Sequence, residues 1–104
     1  MVKILSMMKR KDGMSIQDFR KWMLEEHAEF GKQFPGIKGY KIDVVTDDNA
    51  DGPYDAVNEL YFDDVATFQA ALQSDIGSQA GADIKEHCAP DRFRMITEEN
   101  IVVP

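Results

Sequence analysis

The sequence predicts an α+β fold, a four-stranded antiparallel sheet with two helices on one face. Three observations carry that prediction. Apolar patterns of strand and helix period follow one another in the order strand, helix, strand, strand, helix, strand. A stripe of apolar residues at steps of three or four runs from Ile16 to Phe34. The strands are apolar on both faces, so both faces of the sheet need cover.

The first predicted strand runs from residue 2 to residue 9, with Val2, Ile4 and Met8 on one face and Leu5 and Met7 on the other. Lys11-Asp12-Gly13 is a turn signal. Ser15 opens a helix, with Asp18 three positions on approximating a capping box. Ile16, Phe19, Met23, His27, Phe30 and Phe34 form its apolar stripe, and Lys21, Glu25, Glu29 and Lys32 its solvated face. Pro35-Gly36 stops it. A second strand is expected over residues 37–46, then an acidic loop, then a third strand over residues 54–62. In the third strand Tyr54, Ala56, Leu60 and Phe62 oppose Val57 and Tyr61. Asp63 or Asp64 caps a second helix carrying Val65, Phe68 and Leu72. Gly77 and Gly81 argue against a long helix in residues 74–88, leaving a short helical turn near residues 80–84. A fourth strand over residues 92–96 and an extended tail complete the chain. This order is the ferredoxin-like βαββαβ arrangement, and right-handed crossovers place both helices on one face. A second copy is the simplest cover for the other face, which predicts a two-fold homodimer.

The chain has 104 residues, 43% hydrophobic and 30% charged, which allows one domain spanning residues 1–104. Twelve Lys and Arg against 19 Asp and Glu give a net charge of −7, which disfavours nucleic acid as a partner. No apolar run approaches the ~20 residues of a membrane helix, and the N-terminus lacks the apolar core of a signal peptide, so no membrane partner and a cytoplasmic location are expected. A lone cysteine, Cys88, excludes an internal disulfide or a cysteine-based metal cluster. Asp47, Asn49, Asp51 and Gly52 match the first half of a calcium-binding EF-hand loop. Its twelfth position is Asn58 rather than the required Glu, so a polar connection is expected.

His27 is the most informative residue, because an imidazole within an apolar stripe must find hydrogen-bond partners. It reads either as a core histidine bonded to a carbonyl or as a general acid or base at the floor of a pocket. Glu59 lies within the third strand. Facing the helices it would orient His27; facing outward it would be solvated or ion-paired. Tyr40 and Tyr54 offer hydroxyls to a ligand oxygen, or serve as packing residues. His87 is adjacent to Cys88 without the spacing of a nucleophile–base pair or a metal site.

The ordered motifs resemble the EthD family. The carrying segments are Phe19-Arg20-Lys21-Trp22 followed by His27, then Phe34-Pro35-Gly36-Ile37-Lys38-Gly39-Tyr40, then Pro53 to Asp63. Phe68 to Ser74 and Ala82-Asp83 extend the likeness. Glu29 stands where family members often carry proline, Trp22-Met23 replaces a Tyr-Trp pair, and Glu86-His87 stands where a phenylalanine is expected. The resemblance implies a dimeric α/β barrel related to methylmuconolactone isomerase and small cofactor-free monooxygenases. It implies a cavity between sheet and helices lined by His27 and Tyr40. The candidate catalytic set is His27, Tyr40 and Glu59, with Trp22, Met23, Phe30, Tyr54 and His87 as candidate ligand contacts, and no cofactor or metal.

Three functions fit this reading. The chain binds a small hydrophobic oxygenated metabolite and moves a proton on it through His27, as an isomerase or lyase would. It binds such a ligand without turnover, as an accessory protein of a degradation or stress pathway. Or it is a cofactor-free or haem-dependent monooxygenase.

Overall fold

The computed structural model describes residues 1–104. Strands β1 (Val2–Met8), β2 (Gly39–Val44), β3 (Ala56–Phe62) and β4 (Phe93–Thr97) form one antiparallel sheet in the order β2-β3-β1-β4. This is the ferredoxin-like α+β architecture expected from the element order. Period-2 alternation decides what each face carries. Ile4, Met8, Leu60 and Phe62 point into the helix layer and are buried. Leu5, Met7 and Val57 point to the opposite face together with Phe93 and Met95, which are 55% and 49% exposed in a single copy.

The first helical segment has three parts: α1 (Ile16–Trp22), a π turn (Met23–His27) and α2 (Ala28–Gly31). Ser15 caps it, its hydroxyl accepting from the Asp18 amide at 3.0 Å. The π turn holds one residue more than an α turn, so it rotates the following residues relative to the apolar stripe. Ala28 and Gly31 are buried, whereas Phe30, expected to face the sheet, is only half-buried. Gly31 meets the Tyr40 ring so closely that a Cβ there would overlap it.

The acidic connection after β2 is a short 3₁₀ turn, Asp47–Asn49. The Asp47 carboxylate accepts from Arg20 at 2.6 Å and Gln17 at 3.2 Å, which ties the loop to α1. Helix α3 (Val65–Gln73) is capped by Asp64, which accepts from the Thr67 amide at 2.8 Å. The chain then departs from expectation, since α4 is a full helix, Asp75–His87, rather than a short turn. Its glycines do not break it. A Cβ at Gly77 would overlap the carbonyl oxygens of Ala71 and Leu72, so glycine is what lets the start of α4 press against the end of α3. The Ser74 hydroxyl caps α4, accepting from the Gly77 amide at 3.2 Å.

The core is divided. One cluster centres on Met8, Phe19, Trp22, Met23 and Ala56, and the other on Ile4, Phe34, Leu60, Phe62 and Phe68. Between Met8 and Ile4 on β1 lies Ser6, paired across the sheet with Asn58 on β3 and Arg94 on β4. This polar row crosses an otherwise apolar floor. Side chains from the helices cannot close over it without stranding its hydrogen-bonding groups.

Candidate active site

A cavity of about 280 Å³ opens above the polar row, between the sheet and the helices. Apolar side chains, among them Phe34, Leu60, Phe68, Leu72 and Ile84, make much of its wall. His27, Tyr40, Asn58, Ser6, Arg92 and Arg94 bring polar groups to it.

His27 stands at the end of the π turn, and its Nδ1 lies 2.9 Å from the Asp83 Oδ2 of α4. A carboxylate accepts only, so Nδ1 carries the proton and the second ring nitrogen, Nε2, is the free base. Nε2 has no hydrogen-bond partner in the protein, and no fully buried side-chain nitrogen or oxygen lacks one, so Nε2 is accessible from the cavity that His27 lines. Burial holds the imidazole below its ordinary value, against the opposing pull of the Asp83 hydrogen bond and charge, so His27 is neutral at pH 7. The Asp83 carboxylate also accepts from the indole Nε1 of Trp22 at 3.2 Å, while the His87 Nδ1 lies 2.8 Å from the Asp83 main-chain carbonyl oxygen. Trp22 stacks on His87 with ring centroids 4.4 Å apart. The imidazole is thus held by a carboxylate that the Trp22 indole fixes in turn.

Tyr40 projects from β2 into the same cavity. Its hydroxyl makes only a long contact, 3.4 Å, to the Asn58 Oδ1, and burial pushes the phenol up to about 12, so it stays protonated and able to donate. Asn58 is buried, and its amide nitrogen faces the sulfurs of Met8 and Met23 at 3.9 and 3.7 Å. Thioether sulfur is a weak acceptor, so the amide is held by shape more than by hydrogen bonding.

The structure brings His27 and Tyr40 together as expected, but not Glu59. Glu59 shares the parity of Val57 and Tyr61 and lies on the outer face of the sheet, opposite Leu5. There it forms an ion pair with Lys3 at 2.5 Å. Hydrogen bonding from Asp43 and Lys3 lowers its pKa. The carboxylate on His27 is Asp83 instead. A signal for it was present, because Ile76, Ala80, Asp83, Ile84 and His87 recur at helical spacing once the glycines of α4 are tolerated.

The expected ligand contacts divide in the same way. Met23 is fully buried behind Asn58, and Trp22 and His87 stand behind His27 rather than on the cavity wall. Phe30 packs on the His27 ring with centroids 6.2 Å apart. Tyr54 lies before β3 and packs edge-on against Phe93, 5.8 Å away and outside the cavity. Glu29, read on the solvated face of the first helix, is exposed and pairs with Lys32. Ser6, Asn58, Asp83, Arg92 and Arg94 were not singled out from the sequence, because their roles depend on cross-strand register and helix phase. Asp83, Glu86 and His87 bring possible ligand atoms within 4.8 Å of one another, but the Asp83 oxygens already serve His27 and Trp22. Burial pushes the Cys88 thiol up to about 12, so it is no nucleophile at neutral pH.

No helix is long and apolar enough to cross a membrane. No curated protein matches the sequence. Solved structures of the same fold do. An EthD family protein from Bacillus halodurans is 24% identical, with 96% of this chain and 99% of that chain covered at a TM-score of 0.78. A dimeric ferredoxin-like protein of unknown function from Thermobifida fusca is 18% identical, covering 91% and 87% at 0.73. A hydroxynitrile lyase from Passiflora edulis is 18% identical, covering 99% and 96% at 0.73. The model of the EthD domain matches residues 11–91, which hold strands β2 and β3 and all of the helices that build the cavity, and the chain belongs to the EthD family.

Proposed function

We propose that the protein binds a small, largely apolar, oxygenated metabolite in this cavity and that His27 moves a proton on it. The observation that carries the reading is the His27–Asp83 pair, with a neutral imidazole whose free nitrogen is open to an otherwise largely apolar chamber. Tyr40 donates to a ligand oxygen, the role a carbonyl or enolate needs filled while the base works on the neighbouring carbon. Asp83 takes the orienting role that the sequence offered to Glu59. The lyase among the neighbours supports the reading by analogy of fold alone.

The test is deuterium exchange into cyclic ketones and lactones in D₂O, followed by proton NMR. The expected result is exchange at the carbon beside the carbonyl, faster than in buffer, reduced roughly 10²–10⁴-fold in His27→Gln. Equal rates in wild type and in a folded His27→Gln would overturn it. Saturable binding without exchange would assign the protein to the non-catalytic alternative.

We also propose that residues 1–104 act as one domain that pairs through the outer face of the sheet, where Leu5, Met7, Val57, Phe93 and Met95 gather. Light scattering should give twice the 11.8 kDa of one chain, and Met95→Lys should shift the protein toward that single mass. A wild-type mass of 11.8 kDa at micromolar concentration would overturn the pairing.

A further inference from the structure

We infer that the ligand of this cavity is an organic acid whose carboxylate is received by Arg92 and Arg94. The inference rests on the cavity reading above and narrows it.

Placement sets these arginines apart. Of the 12 Lys and Arg, Lys3, Lys9, Arg10, Arg20, Lys32 and Lys38 form ion pairs; Lys11, Lys21, Lys41 and Lys85 form none, but none of those four lines the cavity. Arg92 and Arg94 form none, and neither guanidinium makes a hydrogen bond within the chain. Arg94 lies in the edge strand β4 and Arg92 immediately before it, and both reach the same side of the sheet. Both line the main cavity and the polar hollow of about 240 Å³ that continues from it toward the strand edge. The Arg94 guanidinium lies over the Phe68 ring, 5.3 Å from its centroid, which restrains this exposed side chain beside the cavity.

Ser6 adds a third donor. It sits directly opposite Arg94 in register, lines both spaces, and its hydroxyl has no partner within the chain. Two guanidinium forks and a hydroxyl, with no carboxylate paired to them, favour a planar anionic oxygen group bound through paired hydrogen bonds. Low-dielectric walls focus that positive field although the chain as a whole is negative. From Arg94 on β4 to Asn58 on β3 is two strand spacings, roughly 10 Å. An acid that places its carboxylate at the edge strand therefore reaches Tyr40, Asn58 and His27 with a carbonyl or hydroxyl several carbons away. The apolar stretch between Leu60, Phe68 and Leu72 takes the linking carbons.

The test compares 4-benzoylbutyrate with its uncharged methyl amide by titration calorimetry. Wild type should bind the acid at least tenfold more tightly, and raising the salt should shrink the preference. Arg92→Gln with Arg94→Gln, both exposed positions, should bind acid and amide equally, with circular dichroism confirming the fold. His27→Gln should keep the preference for the acid. Equal binding of acid and amide by wild type, or an undiminished preference in the double variant, would overturn the carboxylate assignment and leave the cavity reading standing. Failure of both compounds to bind would overturn the cavity reading and this inference with it.

Discussion

Asp55→Ala is expected to cost about 3 kcal/mol of folding stability, a large fraction of what a domain of this size has. Asp55 lies at the entry to β3 and is fully buried. Its carboxylate accepts from the Arg10 amide at 2.9 Å, from Arg10 Nη1 at 2.9 Å and from Lys9 Nζ at 3.2 Å. The same two cations also bond the carbonyl of Ala50, and Lys9 that of Gly52, so one carboxylate anchors the connection after β2 to the end of β1. Removing it strands a backbone amide and two half-buried cations. The cations keep 27% and 23% of their side-chain surface exposed, which lets water recover part of the loss and sets the figure at the low end for a broken buried pair. The melting temperature should fall by roughly 15 °C. A loss under about 1 kcal/mol in urea titration would show that the loop is held by other means.

Asp83→Ala is expected to cost about 3 kcal/mol as well, and to alter how stability responds to pH. The substitution leaves the Trp22 indole N–H and the His27 Nδ1–H without their shared acceptor. In wild type, burial lowers the His27 pKa below its ordinary value near 6.5. As pH falls below ~6.5 the unfolded chain therefore binds a proton before the native protein does. Stability is fully present above that point and declines as pH falls toward the native His27 pKa. Asp83 opposes this shift by raising the pKa, so its removal extends the declining window to lower pH. His27→Gln should abolish this contribution to the slope. Urea titrations between pH 8 and pH 5 on the three proteins read the difference. Identical pH profiles in wild type and His27→Gln would mean that His27 is not held neutral in the fold.

What was legible in the sequence depended on whether a period stayed in phase. The strands read correctly because side-chain alternation has a fixed period. The parity of Val57 and Tyr61 already contained the outward placement of Glu59. The first helix read correctly at Ile16, Phe19, Met23, His27 and Phe34, all buried; beyond the π turn only Phe30 gives way, half-buried, to Gly31. Helix α4 is hidden in the sequence because Gly77 and Gly81 carry a helix-breaking propensity. Gly77 serves a contact between helices that no local propensity contains. With α4 went the facing of Asp83, and so the partner of the one residue the sequence had marked out, His27. Arg92 and Arg94 looked like ordinary surface charge until the register placed Arg94 beside Ser6.

The π turn also bears on how ligand size is set in this chain. Gly31 lets the Tyr40 ring lie flat against the helix, and Phe30 stands one position away. At this chain length, closing the turn to ordinary α geometry would swing Phe30 toward the place Gly31 now holds. A phenyl ring would then replace Gly31 beside Tyr40, and the chamber would shrink. The phase of a helix, not only the identity of the residues it carries, is therefore a variable on which selection for ligand size can act.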